Sequence, residues 1–370
     1  MKTSFHEIES LLEQAVSKKI CSGASLLVFY QGEISFQKEA GFTSFHLGGL
    51  IPEPVKKNTL FDLASLTKPL VTTQLIALFI QEGILSLDQT VGQLLEKPLS
   101  RELSGTTLRA LLNHSSGLPD WRPYYSSIDP KTDQAKIKNS IYRAIHEEPL
   151  VYPPGTRNVY SDPGFILLGE ILERKTGKNL DELFQEKIAD PLNLQDIGFI
   201  PRDRPGPLKG GRAFVATENS ADRKKVIQGE VHDDNAFVMG GVAGHAGLFG
   251  TARGIYGCFG EWRRGYAGKG RILEASTVKA FVERERFTGD WGLGWMFPSA
   301  PSSAGRYFSR RSFGHLGFTG TSLWFDPAVD LGVIFLSNRV HPTRENNALK
   351  EFRPLLHDQI YQTVIHKGLP

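Results

Sequence analysis

A serine and a lysine three positions apart, Ser65 and Lys68, are the pair in this chain best suited to covalent chemistry. An apolar run, residues 70–80, follows them and predicts a buried helix. Side chains three apart on a helix share a face, so the lysine amine can reach the serine hydroxyl and activate it as a nucleophile. Pro69 fits this placement, because proline is tolerated in a first helical turn. The free N–H groups of such a helix start can stabilise an oxyanion.

The same Ser-x-x-Lys spacing occurs twice more, at residues 35–38 and 276–279. The first copy lies in an alternating, strand-like stretch, where residues three apart point to opposite faces. The second opens a polar helix, where Ser276 is expected to cap the helix on a solvated surface. Only Ser65 precedes a buried helix, so we expect the other two copies to be structural.

Tyr160 is a second candidate for proton transfer. It lies in a turn containing proline and glycine, residues 154–162, just before a helix that begins near Gly164. A tyrosine on such a loop is usually a packing residue. Its polar neighbours favour a projecting phenol, which beside Lys68 can relay a proton as general acid or base.

The elements that must position these residues come from both ends of the chain. Residues 25–30 and 33–38 are predicted strands joined by a short turn, and residues 321–325 and 331–336 form a similar pair near the carboxyl end. We therefore predict a mixed α/β fold, in which both ends build one antiparallel sheet flanked by helices. The helical middle of the chain is expected to form an inserted all-helical domain.

The predicted domains divide the chain at two boundaries. Residues 1–75 and 245–370 are expected to form the α/β sheet domain, and residues 76–244 the mainly helical inserted domain. The active site is then expected in the cleft between them. The glycine-rich segment 240–250 lacks the residue order of a phosphate-binding loop, and no cofactor is expected.

Composition excludes several other classes of protein. The chain has 370 residues, of which 40% are hydrophobic and 22% charged, as in ordinary folded proteins. Its net charge of +3 comes without a basic block interleaved with aromatic residues, which argues against nucleic-acid binding. No apolar stretch approaches the roughly 20 residues needed to span a bilayer. Cys21 and Cys258 are expected to be buried free thiols.

The amino-terminal residues 1–7 lack the uninterrupted apolar core of a secretory signal. A cytoplasmic location is therefore expected, with a periplasmic location as the alternative if a signal had been trimmed. The sequence sets no oligomeric state.

The histidines and acidic residues do not show the spacing of a metal site, and no metal is expected. The residues considered for it are His114, His232, His245, Asp233 and Asp234. His245, in the glycine-rich segment, is the histidine expected nearest the cleft. Trp121 is a candidate for the cleft wall against an acyl or alcohol group, and packing beneath its loop is an equal alternative.

Three motifs in order resemble those of the penicillin-recognising serine hydrolases. They are Ser-x-x-Lys at residues 65–68, Tyr-Ser-Asp at 160–162 and His-Leu-Gly at 315–317. The chain is more similar to class C β-lactamases and their relatives: family VIII carboxylesterases, D-amino-acid peptidases and low-molecular-mass penicillin-binding proteins. The resemblance runs from about residue 22 to residue 338 and implies a β-lactamase/transpeptidase-like fold.

The resemblance also implies roles for individual residues. Ser65 resembles the acylated nucleophile, Lys68 the amine that helps deprotonate it, and Tyr160 the residue that relays the proton to the leaving group. The N–H groups of Ser65 and Phe318 form the implied oxyanion hole.

His315 and Gly317 occupy the place of the family's Lys-Thr-Gly motif. A letter-for-letter Lys-Thr-Gly at residues 175–177 follows a helical run and is expected to be only a helix C-cap.

Two departures from the family pattern bear on substrate and mechanism. His315 replaces a lysine that binds carboxylates, and a largely neutral histidine makes neutral esters or amides better candidates. Asp162 replaces an asparagine. Its carboxylate would favour the charged form of Lys68 and shift proton abstraction toward Tyr160, or it would merely cap the helix beginning near Gly164.

The sequence thus predicts a serine hydrolase that forms an acyl-enzyme with a small-molecule ester or amide. Short-chain carboxylic esters are the expected substrates. A D-amino-acid peptidase, a DD-carboxypeptidase or a weak β-lactamase is the alternative within this class. A catalytically inactive binding protein, which Asp162 and His315 would permit, and a metal-dependent hydrolase are the alternatives from other classes.

Overall fold

The structure is a computed structural model that describes residues 5–95, 97, 99–129, 132–204, 206, 208 and 211–366. The strands are β1 (Gly23–Tyr30), β2 (Glu33–Gly41), β3 (Phe61–Asp62), β4 (Ile197–Phe199), β5 (Asn219–Ser220), β6 (Lys225–Val226), β7 (Leu248–Gly250), β8 (Phe313–Leu316), β9 (Ser322–Asp326) and β10 (Leu331–Ser337).

The α-helices are α1 (His6–Ser17), α2 (Gln74–Gln81), α3 (Val91–Leu95), α4 (Arg101–Ser104), α5 (Leu108–Leu112), α6 (Gln134–His146), α7 (Asp162–Thr176), α8 (Leu180–Phe184), α9 (Asp234–Val238), α10 (Ala252–Tyr266), α11 (Ala275–Val282) and α12 (Leu349–Tyr361). Short 3₁₀ turns cover Ala64–Leu66, Tyr124–Ser127 and Arg284–Arg286, and π-helical turns cover Lys68–Thr73, Gln185–Ala189 and Gln362–His366. None of the helices in the described ranges is long and apolar enough to cross a bilayer.

Both ends of the chain meet in one five-stranded sheet, as predicted. Its order is β2-β1-β10-β9-β8, and every pair is antiparallel. The tight turn between β1 and β2 holds Gln31 and Gly32 at φ 51° and 84°, the left-handed conformations that suit a two-residue hairpin. The central pairing of β1 with β10 joins the two ends of the molecule directly.

Alternating side chains of β1 place a separate core on each face of this sheet. Leu26 and Val28 pack with residues of α1 and α12, whereas Leu27 and Phe29 pack in the larger core that includes α2 and α10. The sheet is therefore covered by helices on both sides. Both cysteines are buried and free, as expected.

The segment 76–244 is mainly helical, but its described residues also contain three short strands, β4 to β6. A second sheet has the order β3-β7-β4. It joins the residues just before Ser65 to those just after His245. The second sheet thereby fixes two distant segments of the chain beside each other.

The predicted helix after Ser65 is present with a different geometry at its start. A 3₁₀ turn leads into the π-helical turn Lys68–Thr73 before α2 begins. Pro69 has no N–H to donate, so the α-helical hydrogen bond from residue 69 to the Ser65 carbonyl is missing at this point. Every residue from Leu66 to Phe79 is buried, which agrees with the predicted buried helix.

The other Ser-x-x-Lys copies lie on β2, at residues 35–38, and on α11, at residues 276–279. Gly177 ends α7 at φ 70°, so Lys-Thr-Gly at residues 175–177 is a helix C-cap. The capping role predicted for Ser276 was wrong, because Glu274 is the N-cap of α11 and Ser276 lies inside the helix.

Candidate active site

Ser65 follows the short strand β3 on a sharply bent backbone. The preceding residue, Ala64, has φ 47°, a left-handed conformation that a residue with a Cβ rarely adopts. The Ala64 N–H donates to Asp62 Oδ1 over 2.8 Å, and the other oxygen of that carboxylate accepts the His232 N–H over 2.6 Å. The buried Asp62 carboxylate thus holds the strained backbone in place.

The Ser65 hydroxyl lies between an amine and a phenol. Lys68 Nζ donates to Ser65 Oγ over 2.9 Å, and Tyr160 Oη donates to the same oxygen over 2.7 Å. Both distances are those of direct hydrogen bonds, so either group is within proton-transfer reach of the serine.

Lys68 is completely buried, and its Nζ is surrounded by three oxygen atoms. Besides Ser65 Oγ, they are Asp162 Oδ1 at 2.7 Å and the His245 carbonyl oxygen at 3.1 Å. Burial by itself lowers the pKa of Lys68, but the charge of Asp162 and the contact with Tyr160 outweigh it and leave that pKa raised. Lys68 is therefore an ammonium at neutral pH.

Tyr160 is a neutral phenol at neutral pH. Burial raises the pKa of Tyr160 to about 12, although the neighbouring Lys68 charge acts in the opposite direction. Next to it, Ser161 caps α7, because its Oγ accepts the Gly164 N–H over 3.2 Å. Asp162 therefore does not cap the helix, and its carboxylate instead pairs with Lys68.

His114 and Trp291 pack against the ring of Tyr160. From the sequence, His114 was considered only as a metal ligand, and Trp291 was not considered. The His114 ring lies 4.7 Å from the Tyr160 ring and 4.4 Å from the Trp291 ring, between centroids. His114 Nδ1 also accepts the Ser161 N–H over 3.0 Å. Nothing in the sequence marked Trp291.

The loop 317–321 between β8 and β9 is fastened to the chain just before Ser65. The hydroxyls of Thr319 and Thr321 donate to the carbonyl oxygens of Asp62 and Leu63 over 2.8 and 3.1 Å. These bonds set the position of the Phe318 backbone relative to Ser65.

Gly317 permits this close approach. A Cβ there would lie 2.0 Å from Thr321 Oγ1 and 2.6 Å from the Leu63 carbonyl oxygen, closer than atoms can pack. Its own N–H donates to the Thr321 carbonyl over 2.7 Å.

His315 is a buried, neutral imidazole on β8. Its Nδ1 lies 2.8 Å from the Leu316 carbonyl oxygen, which can only accept, so Nδ1 carries the proton. Burial and the nearby charge of Lys68 lower the pKa of His315 to about 3. His315 therefore supplies no positive charge where the family motif has a lysine.

A cavity of about 630 Å³ opens in front of Ser65 and brings most of the predicted site residues together. Of those residues, its lining includes Ser65, Tyr160, Asp162, His315, Gly317, Phe318, Trp121 and His245. Lys68 lies behind this lining and is hydrogen-bonded to Ser65. Trp121 is 42% exposed, and the buried His245 ring donates to Asp233 over 2.8 Å.

The cavity also contains cationic residues that the sequence did not mark. Four basic side chains line it: Arg339, Arg344, Lys350 and Arg353. No group of three or more histidine, cysteine, aspartate or glutamate side chains in the described part of the chain is arranged to hold a metal ion.

The antiparallel sheet contains strands from both ends of the chain, and Ser65 is hydrogen-bonded to both a lysine and a tyrosine. Together these features define a class, the serine hydrolases of β-lactamase-like fold. The family model described as Beta-lactamase matches residues 8–357, and the chain belongs to this family. It is an enzyme of the serine hydrolase type.

Relatives and solved structures agree with this membership. The chain is 33% identical over 346 residues to a "Putative D-alanyl-D-alanine carboxypeptidase" of Escherichia coli O157:H7, covering 86% of this chain and 79% of the relative. It is 30% identical over 360 residues to an "N-acetylmuramyl-L-alanine amidase" of Bacillus subtilis (strain 168), covering 89% and 80%. Its fold is similar to that of "EstCE1, a hydrolase with promiscuous acyltransferase activity", with a TM-score of 0.75, 20% identity and 97% and 99% of the two chains covered.

Proposed function

We propose that this enzyme hydrolyses small carboxylic esters through an acyl-enzyme formed on Ser65. The observation that carries the proposal is the pair of hydrogen bonds that Ser65 Oγ makes with Lys68 Nζ and Tyr160 Oη at the cavity wall. In this proposal the cavity lies between a sheet domain, residues 1–75 and 245–370, and a helical domain, residues 76–244.

Acylation begins once the Lys68–Tyr160 pair has lost one proton. Because Lys68 is charged, the base that accepts the serine proton is the Tyr160 phenolate. The Lys68 ammonium beside it stabilises this phenolate. Ser65 Oγ attacks the ester carbonyl carbon, and its proton passes to Tyr160 Oη. The backbone N–H groups of Ser65 and Phe318 stabilise the oxyanion that forms.

Collapse of this tetrahedral intermediate transfers the acyl group from the alcohol to Ser65. The bond from the carbonyl carbon to the leaving oxygen breaks, and Tyr160 returns the proton to that oxygen. A water molecule then takes the place of the alcohol, loses a proton to Tyr160 and attacks the acyl carbon. The bond from that carbon to Ser65 Oγ breaks, and Tyr160 returns the proton to Ser65 Oγ. The carboxylic acid and the alcohol are the two products.

The lining next to Ser65 favours an ester with no charge at its reacting end. His315 is neutral there, and Lys68 is already paired with Asp162. Trp121, Trp291 and Phe318 add aromatic surface for an acyl or alcohol group. This combination suits a small acyl ester.

A second candidate is hydrolysis of D-amino-acid peptides. It is favoured by the name of one relative, a putative D-alanyl-D-alanine carboxypeptidase, at 33% identity. The same Ser65 chemistry would serve an amide.

Covalent labelling tests whether Ser65 reacts. We expect a fluorophosphonate probe to label the wild-type enzyme and to leave Ser65→Ala unlabelled. The matched control is Ser276→Ala, which alters the exposed Ser-x-x-Lys copy on α11 and should keep both labelling and esterase activity. A folded wild-type protein that takes no label would instead be the inactive binding protein.

Rates on three substrates test the reaction class. p-Nitrophenyl butyrate should be turned over faster than a chromogenic cephalosporin and faster than D-alanyl p-nitroanilide. Faster turnover of the anilide would support the peptidase, and faster turnover of the cephalosporin would support a β-lactamase. Activity lost to a chelator but kept in Ser65→Ala would indicate a metal-dependent hydrolase.

A further inference from the structure

The pair of His245 and Asp233 lies at the cavity wall and takes no part in the acyl-transfer steps. The His245 ring is 1% exposed, and its Nε2 lies 2.8 Å from Asp233 Oδ1. Because a carboxylate only accepts, Nε2 carries a proton. The same Asp233 oxygen accepts the Ala236 N–H over 2.7 Å and thereby caps α9. Asp233 is thus a fixed point to which the His245 ring is attached.

The backbone of His245 contacts Lys68 directly. Its carbonyl oxygen lies 3.1 Å from Lys68 Nζ and is one of the three oxygen atoms that surround this amine in the described part of the chain. The other two are Ser65 Oγ and Asp162 Oδ1. An ammonium has three N–H bonds. The carbonyl therefore sets the third direction, and with it the alignment of the amine with Ser65.

Glycines on both sides leave this backbone little restraint of its own. Gly244 precedes His245, and Gly247 follows two residues later at φ 116°, a conformation that favours glycine. Thr72 Oγ1 donates to the Gly244 carbonyl over 2.7 Å and holds the peptide before His245. The peptide that carries the His245 carbonyl comes next, and the ring bonded to Asp233 restrains it.

The residue before Asp233 is joined to the other side of the nucleophile. The His232 N–H donates to Asp62 Oδ2 over 2.6 Å, and Asp62 in turn holds the bent backbone before Ser65. Residues 232–233 are therefore connected to the nucleophile by two routes. Asp62 holds the backbone of Ser65, and His245 holds its lysine.

We propose that Asp233 and His245 are positioning residues for Lys68, because they fix the carbonyl oxygen against which its amine is held. His245 Nδ1 is buried and has no partner within the described part of the chain, so the bond to Asp233 is the one that orients the ring. This inference rests on the proposed function for the step that it serves, proton transfer from Ser65. It applies to an ester and to an amide alike.

The carbonyl contact also favours the charged form of Lys68, because a hydrogen bond to the ammonium stabilises it. Four titratable groups face this amine from the elements packed around it. Asp162 and Tyr160 raise the pKa of Lys68, while burial and then the Lys68 charge lower the pKa values of His114 and His315. A substitution in the pair alters none of these four groups, so a change in the pKa of Lys68 would report the carbonyl contact.

Labelling rates with a fluorophosphonate test the inference, because they report the reactivity of Ser65 whatever the natural substrate is. His245→Gln and His245→Met differ in one property. The amide nitrogen of glutamine lies as many bonds from Cα as Nε2 of histidine and can donate to Asp233, whereas methionine has no donor. We expect His245→Met to lower the maximal labelling rate constant about 10- to 100-fold with little change in probe affinity, and His245→Gln to stay within about 3-fold of the wild type.

The pH profile of labelling gives a second readout that a merely structural role would not move. Loss of an acceptor in His245→Met lowers the pKa of Lys68, so the rising limb of the rate should move toward lower pH. Asp233→Ala should move it in the same direction.

His146→Met is the matched control. It removes a buried ring that lies 2.7 Å from the carboxylate of Glu170, between α6 and α7 and outside the lining of the cavity. It should lower stability but keep the wild-type rate constant and limb. Partial unfolding does not imitate the expected result, because it reduces the amount of label and not the first-order rate constant of the folded molecules.

Each remaining outcome counts against the inference. A wild-type rate and limb in His245→Met would overturn it and leave the proposed function standing. A lower rate with an unmoved limb would assign the ring to a role other than holding Lys68, and equal losses in His245→Gln and His245→Met would exclude the bond to Asp233. An equal loss in His146→Met would assign the effect to stability. A folded wild-type protein that takes no label would overturn the proposed function and this inference with it, whereas labelling without ester turnover would overturn the ester proposal alone.

Discussion

Asp162 determines the charge of Lys68, and through it the pH at which Ser65 can be deprotonated. The carboxylate lies 2.7 Å from Nζ and raises the pKa of Lys68, which burial by itself would lower. The Tyr160 phenol beside it also has a raised pKa, about 12. In the resting state both candidate bases thus hold their protons, and one of these must leave before acylation.

The first prediction concerns this proton. Activity should rise with pH on the alkaline side, as the Lys68–Tyr160 pair loses one proton. Asp162→Asn removes the charge that holds the proton on Lys68, so the rising limb of kcat/KM should move about 1–3 units toward lower pH. The measurement is the pH profile of p-nitrophenyl butyrate hydrolysis, corrected for spontaneous hydrolysis.

A control separates this effect from a general change of charge. Asp120 also lines the cavity, and its carboxylate accepts the N–H of Trp121. Asp120→Asn should therefore keep the wild-type limb. If the limb of Asp162→Asn stayed in place, the Lys68–Asp162 pair would not set the base.

At the scale of elements, the loop 317–321 is the part that places the proposed oxyanion donor. Threonine hydroxyls fasten this loop to the segment just before Ser65, and the absence of a side chain at Gly317 lets the two meet. The loop and the Ser65 turn are therefore held against each other.

The second prediction uses this contact. In Gly317→Ala the new Cβ would collide with Thr321 Oγ1 and the Leu63 carbonyl, so the loop must move away from Ser65. We expect kcat on p-nitrophenyl butyrate to fall about 100-fold or more, with a smaller change in KM, as when an oxyanion donor is lost. Stopped-flow or steady-state kinetics would measure it.

Gly105→Ala is the matched control. This glycine ends α4 at φ −81°, and the nearest atoms to a new Cβ would be 3.7 Å away. It should retain wild-type kinetics. An unchanged kcat in Gly317→Ala would exclude the loop from oxyanion binding.

At the scale of the whole molecule, Asn338 joins three distant parts of the chain. Its Oδ1 accepts the N–H groups of Ser22 and Gly23 over 3.0 and 3.1 Å. Its Nδ2 donates to Ser22 Oγ and to the Ala216 carbonyl over 2.7 and 2.8 Å. One buried amide thus connects the end of β10 to the start of β1 and to the middle of the chain.

The third prediction is for stability. Asn338→Ala would leave two buried N–H groups without acceptors, and the free energy of unfolding should fall by roughly 2–5 kcal/mol. Urea unfolding followed by circular dichroism measures this. Asn347→Ala, at an exposed asparagine that donates to the Glu345 carbonyl, should change it little. Equal effects of the two substitutions would contradict the connecting role of Asn338.

Local patterns were enough to predict four of the five strands of the main sheet and the buried helix after Lys68. Two strand-like runs joined by a short turn located β1 and β2, and the apolar run after Lys68 located a buried helix. The π-helical turn and the left-handed Ala64 could not be read from the sequence, because tertiary contacts impose them on residues with no such preference.

The site residues also divide into those that the sequence could predict and those that it could not. Ser65, Lys68 and Tyr160 were found because their types and order are distinctive, and they meet as expected at one cavity wall. Arg339 and Arg353 were not found, because a lone arginine in a sequence looks the same whether it lies on the surface or in a cavity. Only the fold shows which arginines line the cavity.

The pairing of β1 with β10 has a consequence for folding during synthesis of the chain. Ser65 leaves the ribosome early, but the strands that carry His315 and the oxyanion loop are made last. At about 5–20 residues per second, the delay is on the order of 10–50 seconds. Throughout it β1 has an open edge that β10 will later cover, and such an edge invites association with other chains. The nascent protein is therefore catalytically silent and most vulnerable to aggregation in the same interval, which ends when the last strand enters the sheet.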